Sequence, residues 1–198
     1  MKKLSLLFMI AGFTLLLYSA WNIWGMKQNE QKSLAEAKEL VGAQQSNSEH
    51  KDGKTKSTIS FDDFHPKKGD VIGVLYLPAI DSELPIIEGT SEDELERGVG
   101  HYSDTVFPGE KDQILLSGHR DTVFRKLGDL QTGDQLIVEL PYGTFTYEIY
   151  ETKIVDADDT TVIASTYPNE VLTLSTCYPF GFVGDAPERY IIFANPVN

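Results

Sequence analysis

The chain has very little cysteine, with one in 198 residues, so no disulfide can form within it. It is also short of positive charge, with 17 Lys and Arg against 30 Asp and Glu. Residues 57–198 hold 9 basic and 25 acidic side chains, whereas residues 1–56 hold 8 and 5. Because affinity for nucleic acids depends on Lys and Arg contacts to phosphate, this balance excludes nucleic-acid binding. The hydrophobic content of 41% excludes a wholly disordered chain.

Long apolar runs are absent except at the N-terminus, where Leu4–Trp24 contains 21 residues and no charge. As a helix this run is about 30 Å long, the thickness of a bilayer core. Trp21 lies near its far end, where aromatic side chains favour the membrane interface. We therefore expect residues 1–26 to be a membrane anchor that contacts lipid through residues 4–24. A cleaved signal peptide stays the alternative, although Tyr18–Ala20 is a poor cleavage site.

Two further segments follow the anchor. Residues 27–59 are expected to be an extracytoplasmic tether, helical over Lys27–Leu40 and then flexible, because residues 41–59 are rich in Gln, Ser, Lys, Gly and Thr. Residues 60–198 are expected to form the folded domain. One span before a C-terminal domain predicts a single-pass protein of the cell membrane, with a cytoplasmic N-terminus and an extracytoplasmic domain.

The folded domain shows mostly the period-two pattern of strands. Strands are predicted at Val71–Leu77, Leu84–Glu88, Gln113–Ser117, Gln135–Leu140, Thr144–Thr152, Val171–Cys177 and Tyr190–Ala194. The sequence Ser91–Glu94 is a capping box that predicts a short helix, and Pro141–Gly143 predicts a hairpin turn. The fold class is therefore mainly β, a closed or nearly closed barrel of seven to eight strands with short helices.

Cys177 is the one residue that can act as a thiol nucleophile. It ends the run T-L-S-T-C, just before Tyr178-Pro179, where the missing N–H of proline ends a strand. A strand end can present a reactive group rigidly. A small, buried and inert cysteine is the alternative, although an unpaired thiol outside the cell needs a reason.

Two further residues could complete a reactive site. His119 follows an apolar strand in S-G-H-R, where Gly118 leaves room for a close approach, and His101 is its rival. Arg189 opens an apolar strand, where a cation needs a specific partner. A thiol with an ordinary pKa of about 8.5 needs a base or an imidazolium beside it. Acyl transfer also needs a donor for the developing oxyanion, which an arginine can supply.

The order of these features resembles the sortase family. The resemblance rests on an anchor, a tether, a β-barrel, S-G-H-R, T-L-S-T-C and a following strand arginine, over about residues 70–195. It implies a cysteine transpeptidase of Gram-positive bacteria that cleaves an LPxTG-like signal, LPxTA included, after Thr. The partners implied are surface proteins that carry this signal and a cell-wall peptidoglycan amine.

The resemblance also implies residue roles. Cys177 would be the nucleophile, His119 the acid and base, and Arg189 the oxyanion and substrate clamp. The implied substrate-binding residues are Ser117, Val162, Ile163, Ser175 and Thr176.

The subclass implied is class D. The helical insertion of class B is missing, since only about fifteen residues separate Val155 from Val171, and residues 41–60 lack the Asp-Pro-aromatic lid of class C. Asp104, Glu110 and Asp112 lie where some class A members bind calcium, but their spread across Pro108-Gly109 predicts no metal site. No cofactor is expected.

Two alternatives stay open from the sequence. Another extracytoplasmic cysteine peptidase is the first, but papain-like enzymes place Cys before His, and L,D-transpeptidases carry S-x-G-C-x-R, which Ser175–Tyr178 lacks. The second is a membrane-tethered barrel that binds wall polymers without any reaction.

Overall fold

The computed structural model describes residues 2–48, 60–182 and 184–197. Its helices of four residues or more and its strands, in chain order, are α1 (Lys2–Ser48), β1 (Val71–Leu77), β2 (Ser82–Glu88), α2 (Glu92–Leu95), β3 (Val99–His101), β4 (Gln113–Ser117), β5 (Gln135–Leu140), β6 (Gly143–Asp156), β7 (Val171–Tyr178) and β8 (Glu188–Pro196). Four short 3₁₀ helices connect them, one of which is Thr160–Val162.

The eight strands form one closed barrel in the order β1-β2-β3-β4-β7-β8-β6-β5. The pairs β2/β3 and β4/β7 are parallel, and the other pairs are antiparallel. Strand β5 closes the barrel by pairing with β1. The predicted fold class, a closed mainly β barrel with short helices, is confirmed.

The bounds of β1, β4 and β5 agree with the prediction, while β6 and β8 are longer than predicted. Strand β3 was not predicted, because three residues that include Gly100 are too few to show an alternation. The turn of two residues between Leu140 and Gly143 is the predicted hairpin. The capping box is also present: the Glu94 carboxylate accepts from the Ser91 N–H at 2.8 Å, and the Ser91 side chain accepts from the Glu94 backbone N–H.

Alternation along β7 decides which side chains face outward. Leu172 and Leu174 belong to the barrel core, and Thr176, in step with them, is also buried. Ser175 and Cys177 have the opposite parity and are partly exposed on the outer face. The apolar interior of the barrel thus fixes Cys177 outside it.

Helix α1 has two parts with different surroundings. Its first part carries exposed apolar side chains such as Phe13 and Trp21, and by length and composition α1 is the one membrane-span candidate among the described residues. Its later part packs on the barrel through Ala37 and Val41, which contact Val71, Val74 and Ile87 together with Leu34. The helix therefore reaches Ser48, beyond the predicted helical stretch, and part of the predicted tether is docked.

Candidate active site

The parallel pairing of β4 and β7 sets the frame of the site. Ser117 pairs with Ser175, and the Gly118 N–H donates to the Ser175 carbonyl at 3.1 Å. Beyond the last pair, the Thr176 hydroxyl donates to the Gly118 carbonyl at 2.7 Å. The next residues on the two segments are His119 and Cys177. The carboxyl ends of the two strands thus bring these residues to the same edge of the barrel.

The antiparallel pairing of β7 and β8 brings in the third residue. Cys177 lies directly opposite Arg189, an arrangement that puts Cβ atoms about 5 Å apart. The Nη1 group of Arg189 donates to the carbonyls of Ala186 at 3.2 Å and Glu188 at 3.0 Å. The structure therefore gathers the three residues predicted to carry the chemistry at one end of the strand pairs.

A tight turn presents His119. A Cβ atom at Gly118 would lie 2.7 Å from side-chain atoms of both Val123 and Phe124, so glycine is required there. The His119 carbonyl accepts from the Phe124 N–H at 3.0 Å, which closes the turn. The close approach predicted at Gly118 is confirmed.

The imidazole of His119 is 29% exposed. Its Nε2 atom is buried and makes no hydrogen bond to the described residues. The Oε1 atom of Glu92 lies 3.4 Å from Nε2, within ion-pair range. From the sequence, Glu92 was assigned only to the capping box. The approach of Glu92 to His119 depends on the packing of α2 beside β3, and a local sequence pattern cannot show this packing.

His101, the rival of His119, is excluded as a base by its surroundings. Its side chain is 1% exposed, Nδ1 lies 2.7 Å from Glu88 Oε2, and Nε2 lies 3.1 Å from the Val106 carbonyl oxygen. The ring also stacks on Phe107 at 4.4 Å between centroids. Both ring nitrogens are already occupied, so His101 is a buried structural residue.

Arg120 is a residue of the site that sequence reasoning missed. Its side chain is 8% exposed and donates to the carbonyls of Phe182 at 2.6 Å, Gly184 at 3.1 Å and Pro179 at 3.3 Å. Its guanidinium carbon also lies 5.8 Å from the centre of the Phe182 ring. Arg120 therefore ties the turn after His119 to the loop between β7 and β8. The sequence could have pointed to Arg120 only through its place in S-G-H-R. Its loop partners lie about sixty residues away in the chain, so no local pattern connects them to it.

The residues predicted to bind substrate divide into two groups. Ser117 and Ser175 are partly exposed on the outer face of the β4/β7 pair, next to Cys177. Thr176 is 3% exposed, and its hydroxyl is committed to the Gly118 carbonyl. Thr176 therefore supports the turn from within the barrel wall, and direct contact with a substrate stays a prediction.

Val162 and Ile163 lie at the other end of the same strands. The Val162 carbonyl accepts from the Gln113 side chain at 2.8 Å, and Gln113 pairs with Val171 at the start of β7. Val171 precedes Cys177 by six residues, which is about 20 Å along a strand. The structure therefore does not place these two residues beside the thiol, although the side chain of Ile163 is exposed.

One of the acidic residues considered for calcium, Asp112, has other partners. Asp112 accepts from the N–H groups of Gln113 at 2.8 Å and Thr166 at 2.6 Å and from the Ser165 hydroxyl at 2.9 Å. These bonds, chiefly the one from Gln113, lower the pKa of Asp112 below its ordinary value of 3.8. In the described part of the chain no group of three His, Cys, Asp or Glu could hold a metal ion.

Comparisons with known proteins agree with this geometry. The sortase domain family profile matches residues 75–197. The chain is 48% identical to Sortase D of Bacillus subtilis (strain 168) over the full length of both proteins. It is 27% identical to Sortase SrtE1 of Streptomyces coelicolor, over 87% of this chain and 51% of that protein.

Solved structures of sortases also match this chain. A Sortase D5 transpeptidase of Clostridium perfringens superposes with a TM-score of 0.68 at 28% identity, over 86% of this chain and 99% of that one. The catalytic domain of B. anthracis SrtD gives a TM-score of 0.57 at 40% identity, over 76% of this chain and 97% of that one. These matches remove the alternative of a barrel without enzymatic activity. The chain belongs to the sortase family of cysteine transpeptidases.

Proposed function

We propose that this sortase cleaves an LPxTG-like sorting signal, LPxTA included, after its Thr and joins the new carboxyl end to a peptidoglycan amine. The observation that carries the proposal is the pairing of Cys177 opposite Arg189 on the outer face, with His119 at the end of the adjacent strand β4. A nucleophile, a proton carrier and an oxyanion donor are thereby available to one peptide bond.

In the first half of the reaction, the Cys177 thiolate attacks the carbonyl carbon of the Thr in the signal. The oxyanion that develops is stabilised by the guanidinium of Arg189, which is always charged. Collapse of this intermediate breaks the C–N bond, and His119 gives its proton to the leaving amine. The products are a thioester on Cys177 and the released C-terminal fragment.

In the second half, an amine attacks the thioester carbonyl. A new C–N bond forms and the C–S bond breaks, while His119 takes the proton of the amine and returns it to the sulfur. The enzyme regains its thiol, and the surface protein is joined to the acceptor.

The outer face of β4 and β7 offers a path for the signal. Four extended residues span about 13 Å. With its Thr carbonyl at Cys177, the signal passes Ser117 and Ser175 and directs its Leu along the strands toward the Gln113 end. A span of about 13 Å falls short of Val162 and Ile163, about 20 Å away, so their contact with the signal stays a prediction.

The membrane assignment follows the same proposal. The exposed apolar side chains in the first part of α1 would anchor the chain, with the N-terminus cytoplasmic and the barrel extracytoplasmic. Substrates that are themselves held at the membrane surface would then meet the barrel there.

A peptide panel tests the proposal. The full-length protein in detergent is incubated with LPxTG, LPxTA and NPxTN peptides and an amine, and the products are read by mass. We expect cleavage after Thr in an LPxT peptide, with the amine joined to the Thr carboxyl. Cleavage at another bond, or of NPxTN alone, would contradict the assigned signal.

A further inference from the structure

His101 and Glu88 form a buried pair that the cleavage of the sorting signal does not use. They lie opposite each other where β3 pairs with β2, and their side chains are 1% and 8% exposed. Glu88 Oε2 lies 2.7 Å from Nδ1 of His101, the spacing of a charge-assisted hydrogen bond. A glutamate is almost never buried this fully unless it is paired. The number of protons that the pair holds decides which bonds it can make.

The surroundings of Nε2 of His101 require a proton on that nitrogen. The Val106 carbonyl oxygen lies 3.1 Å away, and a carbonyl can only accept. The Thr105 hydroxyl oxygen lies 3.4 Å away, but its own hydrogen is donated to the Tyr102 carbonyl at 2.7 Å. Both of these neighbours therefore act as acceptors toward Nε2, so Nε2 must donate.

The short contact with Glu88 requires a second proton, between Nδ1 and the carboxylate. A neutral imidazole has one N–H, so with Nε2 protonated its Nδ1 would be a bare acceptor that faces an acceptor oxygen. An imidazole binds a proton more tightly than a carboxylate does. The Phe107 ring also stacks on the imidazole at 4.4 Å between centroids, and the face of an aromatic ring attracts a cation. These contacts favour an imidazolium beside a carboxylate.

The loop after β3 completes one edge of β4. The register pairs β3 with β4 at two positions, and the loop supplies the partners of β4 beyond them. The Tyr102 N–H donates to the Leu115 carbonyl at 2.9 Å, and the Leu115 N–H donates to the Thr105 hydroxyl at 3.1 Å. The Val106 N–H donates to the Gln113 carbonyl at 3.1 Å. The loop thus takes the place of a longer β3, and the buried imidazole holds it through the Val106 carbonyl.

We propose that His101 is a buried imidazolium paired with the Glu88 carboxylate, and that this ion pair positions β4, the strand that ends just before His119. The Nε2 proton fixes the Val106 carbonyl, the loop then fixes the edge of β4, and β4 holds the catalytic imidazole at the same edge of the barrel as Cys177. His101 is thus a positioning residue that acts from inside the fold. Its effect on catalysis rests on the proposed function, whereas its protonation does not.

The first test reads the protons of His101 in the full-length protein in detergent at pH 7, by NMR of ¹⁵N-labelled histidine. The chain has four histidines, so replacing the other three by Gln one at a time assigns the His101 signals by elimination. We expect a proton on both ring nitrogens of His101. A ring nitrogen without a proton would overturn the ion pair, whether or not any peptide is cleaved.

The second test uses His101→Phe/Glu88→Leu, which replaces the ion pair by apolar side chains of similar volume. Such replacements are often neutral or stabilising, so the melting temperature should stay near that of the wild type. The Val106 carbonyl nevertheless loses its donor. We expect amide exchange in residues 102–106 to rise about tenfold or more, as for the loss of a charge-assisted hydrogen bond. The maximal rate of thioester formation from an LPxT peptide should fall about three- to tenfold, as for a displaced catalytic group, with KM changed less than twofold.

The matched control is His65→Phe/Glu148→Leu, which makes the same two replacements at exposed positions. We expect this control to keep the wild-type exchange in residues 102–106 and the wild-type rate. A second variant, Thr105→Val, removes the acceptor of the Leu115 N–H without touching the ion pair, and it should change exchange and rate in the same direction as the loss of the pair.

The outcomes separate the inference from the proposed function. Exchange and rate in His101→Phe/Glu88→Leu that equal those of the control would overturn the positioning role. Failure of every LPxT peptide to form a thioester would instead overturn the proposed function, and the proton and exchange measurements would still decide the state of the pair and its hold on the loop.

Discussion

At the residue scale, the central relation is that between Cys177 and Arg189, which lie opposite each other on β7 and β8. Nη1 of Arg189 is committed to two carbonyls near the start of β8, and this fixes the direction of the planar guanidinium. A lysine would keep the charge but lose the fork geometry. For Arg189, the direction of the guanidinium therefore matters as much as its charge.

We predict that Arg189→Lys loses nearly as much kcat/KM as Arg189→Ala, on the order of a hundredfold, as expected for an aimed oxyanion donor. Peptide-cleavage kinetics on both variants measures this, and thermal unfolding checks that the fold survives. Recovery of most of the rate in Arg189→Lys would show that Arg189 acts only as a general positive charge.

Arg120 leads to a second prediction at this scale. A lysine there can satisfy only part of the set of three loop carbonyls that Arg120 reaches. We expect Arg120→Lys to lower kcat/KM about tenfold and to raise hydrogen exchange in residues 179–187, because charged hydrogen bonds of this kind contribute about 1.5–3 kcal/mol each.

The control for Arg120 is Arg97→Lys, which alters a partly buried arginine that donates to the Gly69 carbonyl at 2.7 Å. That variant should leave exchange in residues 179–187 unchanged. If Arg120→Lys lowers thermal stability without affecting loop exchange or kcat/KM, Arg120 does not position the loop.

At the scale of elements, the strands that were predicted well are those whose pattern is local. The bounds of β1, β4 and β5 follow from apolar runs ended by Pro, Gly or turn residues. The parallel pairing of β4 with β7 was not predicted, because it joins segments about sixty residues apart, and it is this pairing that brings His119 to Cys177. Candidate residues could thus be named from motifs, whereas the approach of Glu92 and the loop contacts of Arg120 required the packed structure.

The connection before β7 gives a prediction on pH. Asp112 holds the loop at Ser165 and Thr166 through bonds that lower its pKa below 3.8. A carboxyl whose pKa is lowered by folding stabilises the fold fully above its unfolded pKa and loses that effect as pH falls through the folded value. We expect Asp112→Asn to lower the melting temperature above pH 5, with the difference from the wild type narrowing below about pH 4.

Thermal unfolding between pH 2 and pH 7 checks this expectation. Asp129→Asn, which changes an exposed aspartate in a short 3₁₀ helix, is the control and should follow the wild type throughout. A difference between Asp112→Asn and the wild type that stays constant down to pH 2 would show that the ionised carboxylate is not what stabilises the loop.

At the scale of the whole molecule, α1 joins the membrane-span candidate to the barrel. The composition after Trp24 predicts a tether that is helical over Lys27–Leu40 and then flexible. In the structure, Leu34, Ala37 and Val41 of this segment pack on Val71, Val74 and Ile87. A few apolar residues spaced along a polar segment are enough to dock one face of a helix. By composition, such a docked helix is hard to distinguish from a polar helix that is free in solvent. The domain boundary at residue 60 stays a prediction.

We predict that Ala37→Glu lowers the melting temperature of the full-length protein by several degrees, because it places a charge at a fully buried contact. Ala35→Glu introduces the same charge at an exposed position of the same helix and should have little effect. Thermal unfolding of the two variants compares them directly. Equal melting temperatures would mean that α1 does not dock on the barrel in solution.

The most direct test of the account is to trap the covalent intermediate on Cys177. The full-length protein is mixed with an LPxTG peptide without amine, quenched in acid within seconds, and measured by intact mass and peptide mapping. We predict a mass increase equal to the acyl fragment that ends at Thr, located on Cys177 and removed by hydroxylamine, with neither adduct nor cleavage in Cys177→Ala. Cleavage of the peptide by Cys177→Ala at the wild-type rate would contradict the central claim.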